Sequence, residues 1–429
     1  MIFTSNYNID NTGSKDVTRE LQELIMYNED VYISAGTYLV SSLYISSNRN
    51  IYLDPEATIL GTTDETKYDL INTRVAGIEM KWYPAIINIM NATNVTISGL
   101  GTIKGAGKYF YEKYWGKDTK SGMRADYDEK GIRWACDYDC ARVRNILITN
   151  SDNIKIMDLN LIDSGFWNLH ILYSHDIYIN NLNIVAPEVS PSTDGIDIDS
   201  SYNIRIENVK THTNDDSICI KSGRDYDGLR VNIPSHDIII RDCKIYNGYG
   251  ITVGSEVSGG IHNIRIENIE YYGTDCAFRI KSSRKRKGYV KNIIFKNIKC
   301  RNVKYLCHIF LDWNKEYNNC VIPSNITEVR DHWLTLTKEV SDDILNTKVS
   351  NIKFDNISST CGEEYDGISR LFTIVGFEPS QIEHMKFMNM NINMKEYGII
   401  KNAENIQFEN CNIITKIDYD PNNDDFDNR

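Results

Sequence analysis

The chain has 429 residues, 41% hydrophobic and 25% charged, with 47 basic against 59 acidic side chains and a net charge of −12. That apolar content is too high for a disordered chain, and no run approaches the roughly 20 apolar residues that a membrane-spanning helix needs. The acidic balance argues against nucleic acid as a partner, because phosphate backbones demand a net basic face, and it also disfavours a polyanionic substrate at first sight.

The chain opens with MIFTSNYNID, which has neither the basic stretch nor the apolar core of a secretory leader. A cytoplasmic location is expected, or a secreted one if a leader has been trimmed away. In the next segment, DVTRELQELIMY, Val17, Leu21, Leu24 and Ile25 share one helical face, which suits a short N-terminal capping helix.

From Asn94 onward one pattern recurs: a polar residue, alternating apolar positions, then Asn or Asp five residues after the first. It reads NVTISG from Asn94, NIKIMD from Asn153, DIYINN from Asp176, NIRIEN from Asn203 and DIIIRD from Asp237. It continues as NIRIEN from Asn263, NIIFKN from Asn292, NIKFDN from Asn351, HMKFMN from His384 and NIQFEN from Asn405. Alternating Ile and Val make each copy a strand, and recurrence every 20 to 35 residues or so is the signature of a solenoid. Two steps of 59 residues hold either two turns or one turn with a long insertion. The Asn at the sixth position (Asn181, Asn208, Asn268, Asn297, Asn356, Asn389, Asn410) suggests amide ladders along a bend, although Asn also simply tolerates turn dihedrals. The pattern predicts an all-β fold, a right-handed parallel β-helix. It should form one domain over residues 1–417, a rod of about a dozen coils at about 4.8 Å each, with an acidic tail at 418–429.

The widest insertions, at about 104–144 and 304–345, hold Trp115, Trp134, Trp313 and Trp333. Each indole either faces a sugar or packs its loop onto the rod. Between them, STDGIDID (192–199) and NDDSICIKSG (214–223) carry the densest acidic chemistry. Asp194 and Asp215 stand one short coil apart, so they belong on adjacent rungs. With Asp216 they form a crowded carboxylate group in which one member is driven to hold its proton, the arrangement that glycoside hydrolysis requires. Turn capping or a calcium site is the structural alternative.

Downstream, Arg279 and Lys281 in FRIKSS share strand parity, at an expected distance of about 10 to 15 Å along the rod from the acids. A cationic pair there suits a substrate bearing carboxylates. GRDYDGLR (223–230) reads as a second substrate-facing loop through Arg224 and Arg230, unless Asp225 and Asp227 pair with those arginines instead. The run SRKRKG (283–288) is either a rim of the same groove or a solvated loop. The ten cysteines have no tight framework, so buried free thiols and a reducing compartment are expected.

The succession STDG, NDD, GYG with VGSE, then RIK, on coils with this repeat, resembles glycoside hydrolase family 28, the polygalacturonase and rhamnogalacturonase family. ISAGTYLVSSLYISSNRNIYLDPEATILGT resembles its opening coils. The resemblance implies an inverting, polygalacturonase-like hydrolase of galacturonate-containing pectic glycans with no metal or cofactor; the GRDYDGLR loop would impose exo action if it blocked the cleft, and the altered positions named below make rhamnogalacturonan a further candidate substrate. By the same resemblance Asp194 and Asp216 activate water, Asp215 is the general acid, and Arg279 and Lys281 bind a galacturonate carboxylate. Two positions depart from the polygalacturonase pattern: Ser192 replaces Asn, and Tyr249 replaces the His between two glycines. A phenol donates a hydrogen bond but does not titrate like imidazole, so catalysis should survive with altered neighbouring subsites. A calcium-dependent pectate lyase and a non-catalytic glycan-binding solenoid are the alternatives of the same fold.

Overall fold

The computed structural model describes residues 1–379 and 381–418; the expected acidic tail, apart from Asp418, lies outside the described residues. The chain is a parallel β-helix. One sheet holds 21 strands and a second holds 11, the latter running in consecutive order from Leu43–Ile45 to Glu396–Lys401. Eleven rungs at about 4.8 Å make a rod of roughly 48 Å.

Register explains the repeat. In the smaller sheet Ile148, Ile171, Ile198, Ile220, Val253, Ile280, Ile309 and Ile374 stack directly above one another, each fully buried. A full Ile burial is worth about 2 kcal/mol, so a one-residue slip would forfeit the whole column. Both 59-residue steps are single turns with insertions, since Val95 pairs with Ile154 and Ile293 with Ile352.

Both readings of the recurring Asn hold at once. Asn268, Asn297 and Asn356 have φ of 56°, 55° and 58°, and their side-chain amides bond from rung to rung at 3.1 and 2.9 Å. The helix Thr18–Tyr27 caps the first coil through buried Leu21, Leu24 and Ile25.

The insertions build one wall beside the smaller sheet. The first folds into three helices, Gly107–Trp115, Met123–Glu129 and Arg133–Asp139. The second contributes Lys315–Asn318 and Asp331–Thr337. Asp139 ties the two together by accepting from Arg330, His332 and Trp333 at 2.8, 2.6 and 2.9 Å. An antiparallel hairpin, Ile71–Val75 and Ile78–Trp82, completes the wall.

Candidate active site

Strands Leu169–Leu172, Ile196–Asp199, Ile218–Lys221, Ile251–Val253 and Cys276–Lys281 are consecutive rungs of the smaller sheet. Their isoleucines point into the rod, so the alternate positions point out, beneath the wall of insertions. This outward face carries Asp197, Asp199, Cys219, Lys221, Thr252, Arg279 and Lys281. Asp194 and Asp216 precede two of these strands by the same two residues, which sets them one above the other on adjacent rungs, where the spacing in the chain had pointed to Asp194 and Asp215. They are 3% and 1% exposed.

Asp215 stands beside them, half-buried at the cleft wall. The glycine of the next coil explains how. A Cβ on Gly248, at φ +66°, would meet the Asp215 carbonyl oxygen at 2.4 Å, so only glycine lets that turn pass so close. The Tyr249 backbone N–H donates to the same carbonyl at 3.2 Å.

The cations lie closer to the acids than their rung spacing suggested. Lys281 Nζ is 2.7 Å from Asp216 Oδ2, and an Arg279 guanidinium nitrogen is 3.9 Å from Asp216 Oδ1. Both side chains are long and reach back across two rungs, a length that backbone spacing leaves out. Thr252 donates a hydroxyl to Asp216 at 2.6 Å. Lys221 is the counterpart on the other acid, 3.3 Å from Asp194 and 2.8 Å from Asp197, above the Trp167 ring at 3.9 Å.

These neighbours sort the carboxyl groups. Burial, then Asp194 and Asp216, push Asp215 up to about 8. Burial, then Asp197, also push Asp194 well above the carboxylate range, and burial raises Asp197 to about 7. Asp216 goes the other way: against burial, Lys281 and Arg279 hold it below its ordinary value. At neutral pH the cluster therefore contains a protonated Asp215 and an ionised Asp216.

Asp194, Asp216 and Cys219 offer ligand atoms within 4.8 Å of one another. Two ammonium groups already sit on these carboxylates, so the donor set is a poor match for a further cation.

The expected substrate loop is corrected. Arg224 is fully buried, donating to Asp225 at 3.1 Å, to the Tyr138 hydroxyl at 2.7 Å and to the Tyr317 carbonyl at 2.8 Å. Arg230 pairs with Asp227 at 2.7 Å and with Glu79, away from the cleft. Arg286 joins Arg224 on Asp225. A buried guanidinium demands a carboxylate partner, and Asp225, anchoring the helix Asp225–Val231, satisfies two of them. Of the basic run 284–287, Arg284, Lys285 and Lys287 line one pocket with Trp313, toward Phe377, Glu339 and Asp342 respectively, whereas Arg286 turns inward.

Ser192 and Tyr249 do line the cleft. Ser192, at φ +53°, accepts from Arg142 at 3.3 Å. The Arg279 guanidinium lies over the Tyr249 ring at 4.6 Å with Trp313 at 5.7 Å on it as well, so the tyrosine orients a cation. The four tryptophans divide: Trp134 and Trp333 pack edge to face at 5.7 Å inside the wall, whereas Trp115 and Trp313 face the cleft.

Sequence reasoning missed Asp197, Lys221, Trp167, Arg133 and Glu256. For Asp197 and Lys221 the signal was present. They alternate with isoleucines in IDID and ICIK, the same parity that singles out Arg279 and Lys281.

A family model described as glycosyl hydrolases family 28 matches residues 37–372. The chain belongs to this family. Among relatives of the family 28 chain, a probable polygalacturonase of Vitis vinifera is 31% identical over 297 residues, covering 66% of this chain and 57% of that protein. An endo-polygalacturonase of Pectobacterium parmentieri is 26% identical over 288 residues, covering 64% and 65% respectively. The family 28 chain thus spans less than two thirds of the length of these curated relatives. In fold it is similar to a hyperthermoactive exopolygalacturonase from Thermotoga maritima, with a TM-score of 0.75 and 23% identity over 95% of this chain and 91% of the other.

Proposed function

We propose that the protein hydrolyses galacturonate-containing pectic glycans with inversion at the anomeric carbon. The observation that carries this reading is the sorting of carboxyl groups in one cleft: a protonated Asp215 beside an ionised Asp216, with Arg279 and Lys281 on the same face. Asp215 gives its proton to the glycosidic oxygen as the bond breaks. A water on the opposite face loses its proton to Asp216 while Asp194 orients it, and its oxygen bonds to the anomeric carbon. Arg279 and Lys281 suit the carboxylate of the leaving sugar.

The tip of the hairpin at Ala76 and Gly77 lies across one end of the cleft, held by the Tyr138 hydroxyl and the Arg224 backbone N–H at 2.8 Å each. Ala76 lines the cleft beside Asp194 and Asp216, and a tip placed there favours removal of terminal units over cutting within a chain. The GRDYDGLR segment therefore supports exo action indirectly, as the anchor of the hairpin. The relatives named polygalacturonase add weight to the substrate class. Ten unpaired thiols, eight of them buried, favour a reducing compartment, which cell fractionation tests.

Incubation with homogalacturonan, rhamnogalacturonan and short oligogalacturonides, followed by product sizing and anomeric NMR, tests the reading. A single sugar released per event with inverted configuration, in the presence of EDTA, is the expected result. Unsaturated, ultraviolet-absorbing ends lost on chelation would instead mark β-elimination, and binding without turnover would mark a glycan-binding solenoid.

A further inference from the structure

The acids divide the cleft. Asp215, Lys281 and Arg133 are common to its two halves; Tyr249 and Arg279 line one half alone, whereas Asp194, Asp216, Lys221, Trp167 and Glu256 line the other together with Ala76 of the hairpin tip. In hydrolysis by inversion the acid serves the leaving group, and the activated water attacks the sugar that keeps the anomeric carbon. The Arg279 half thus takes the leaving chain. The Asp194 half takes the sugar under attack, which the hairpin tip at Ala76 would make the non-reducing terminus.

Glu256 stands in that half with little to bind it. The residue is 4% exposed, and its carboxyl group meets only the hydroxyls of Tyr317 and Ser255, each at 3.5 Å, the outer limit of a hydrogen bond. Among the described residues no cation lies within ion-pair distance of it. Both contacts fall on one carboxyl oxygen and the other is open to the cleft, where a ligand that donates hydrogen bonds would meet it. The fold holds it there tightly: a Cβ on Gly77, at φ +88°, would come within 2.6 Å of Glu256 Cγ. Arg133 stands nearby with one guanidinium nitrogen on Asp137 at 2.7 Å, and its fork has further donors to offer.

We propose that Glu256 recognises the chain end, accepting hydrogen bonds from the ring hydroxyls of an unsubstituted non-reducing galacturonosyl unit whose carboxylate faces Arg133. The site deepens the galacturonan-hydrolase reading and rests on it. A recognition site of this kind rejects an end that lacks a hydroxyl, because the buried acceptor is then left unmet.

Oligogalacturonides of defined length provide the test, alongside the same oligomers with a 4,5-unsaturated terminal residue, which lacks the hydroxyl at carbon 4. The wild-type protein is expected to cleave the saturated series at least about 100-fold better in kcat/KM. Glu256→Ala should lower kcat/KM on the saturated series by about 100-fold and bring the discrimination close to unity, with Glu256→Gln, which keeps one acceptor, in between. Melting temperatures of both variants should match or exceed that of the wild type, since neither loses a strong contact. Unchanged discrimination in Glu256→Ala, or equal cleavage of the two series by the wild type, overturns the recognition role while leaving the hydrolase reading intact. A wild-type protein inert on every oligomer overturns both.

Discussion

At the residue scale the deciding contrast is between Asp215 and Asp216, neighbours in the chain with opposite titration behaviour. Their backbone positions differ by one residue, but Asp216 meets Lys281 at 2.7 Å whereas Asp215 meets mainly other carboxyl groups. Activity should therefore plateau in the weakly acidic to neutral range and fall as pH rises through about 8, where Asp215 loses its proton. The acid limb belongs to Asp216, and Lys281→Met should move it upward by about one pH unit or more in a kcat profile, because the ammonium no longer favours the charged form. Asp215→Asn should lower kcat by about 100-fold to 10,000-fold. The same change should raise stability. A carboxyl group whose folded pKa exceeds its unfolded value costs nothing below about 4, and the cost grows as pH climbs toward about 8. The melting temperature of Asp215→Asn should thus match the wild type at pH 4 and exceed it at pH 8. Asp199 has the opposite sign: against burial, Arg74 at 2.8 Å holds it at about 2, so its contribution is present above about 4 and is lost only as pH falls through about 2.

At the element scale the unit is the coil, and its most regular device is the asparagine bend. Asn297 has φ of 55°, donates to Asn268 and accepts from Asn356. Asn297→Ala should lose about 2 to 3 kcal/mol, from two exposed ladder bonds and the left-handed backbone. Asn297→Gly, which keeps the backbone conformation, should lose about half of that; urea midpoints separate the two. The repeat itself was legible because a strand with one buried face leaves a period of two, and stacking imposes the longer period. The parity of Arg279 and Lys281 was legible for the same reason. Their closeness to Asp216 was not, because side-chain reach across rungs leaves no trace in the spacing.

For the whole molecule, the net charge of −12 describes a surface average and not the cleft. Arg279, Lys281, Lys221 and Arg133 line the cleft, while Arg224 and Arg286 serve the wall from inside. The Asp194 end of the cleft depends on segments far apart in the chain: the hairpin at 71–82, the helix Arg133–Asp139 and the helix Lys315–Asn318 carrying Tyr317. Gly77→Val should displace the hairpin tip, since its Cβ would lie 2.4 Å from Arg224 Cβ on a backbone unfavourable to valine. The expected outcome is a loss of about 1 to 2 kcal/mol and the appearance of longer oligomers among the products, read by urea unfolding and product sizing.

The amino-acid order by itself determined the coil, its inward face, the capping helix and the placing of Asp194 one rung from the Asp215–Asp216 segment, because each follows from local periodicity and register. Only the tertiary structure decided which charges are available. Asp225 lies between two arginines, Asp197 and Asp194 share Lys221, and Glu256 is left with two long contacts. Partners of that kind are chosen by how the insertions pack against one another, and a buried charge settles on whichever opposite group the packing brings within reach.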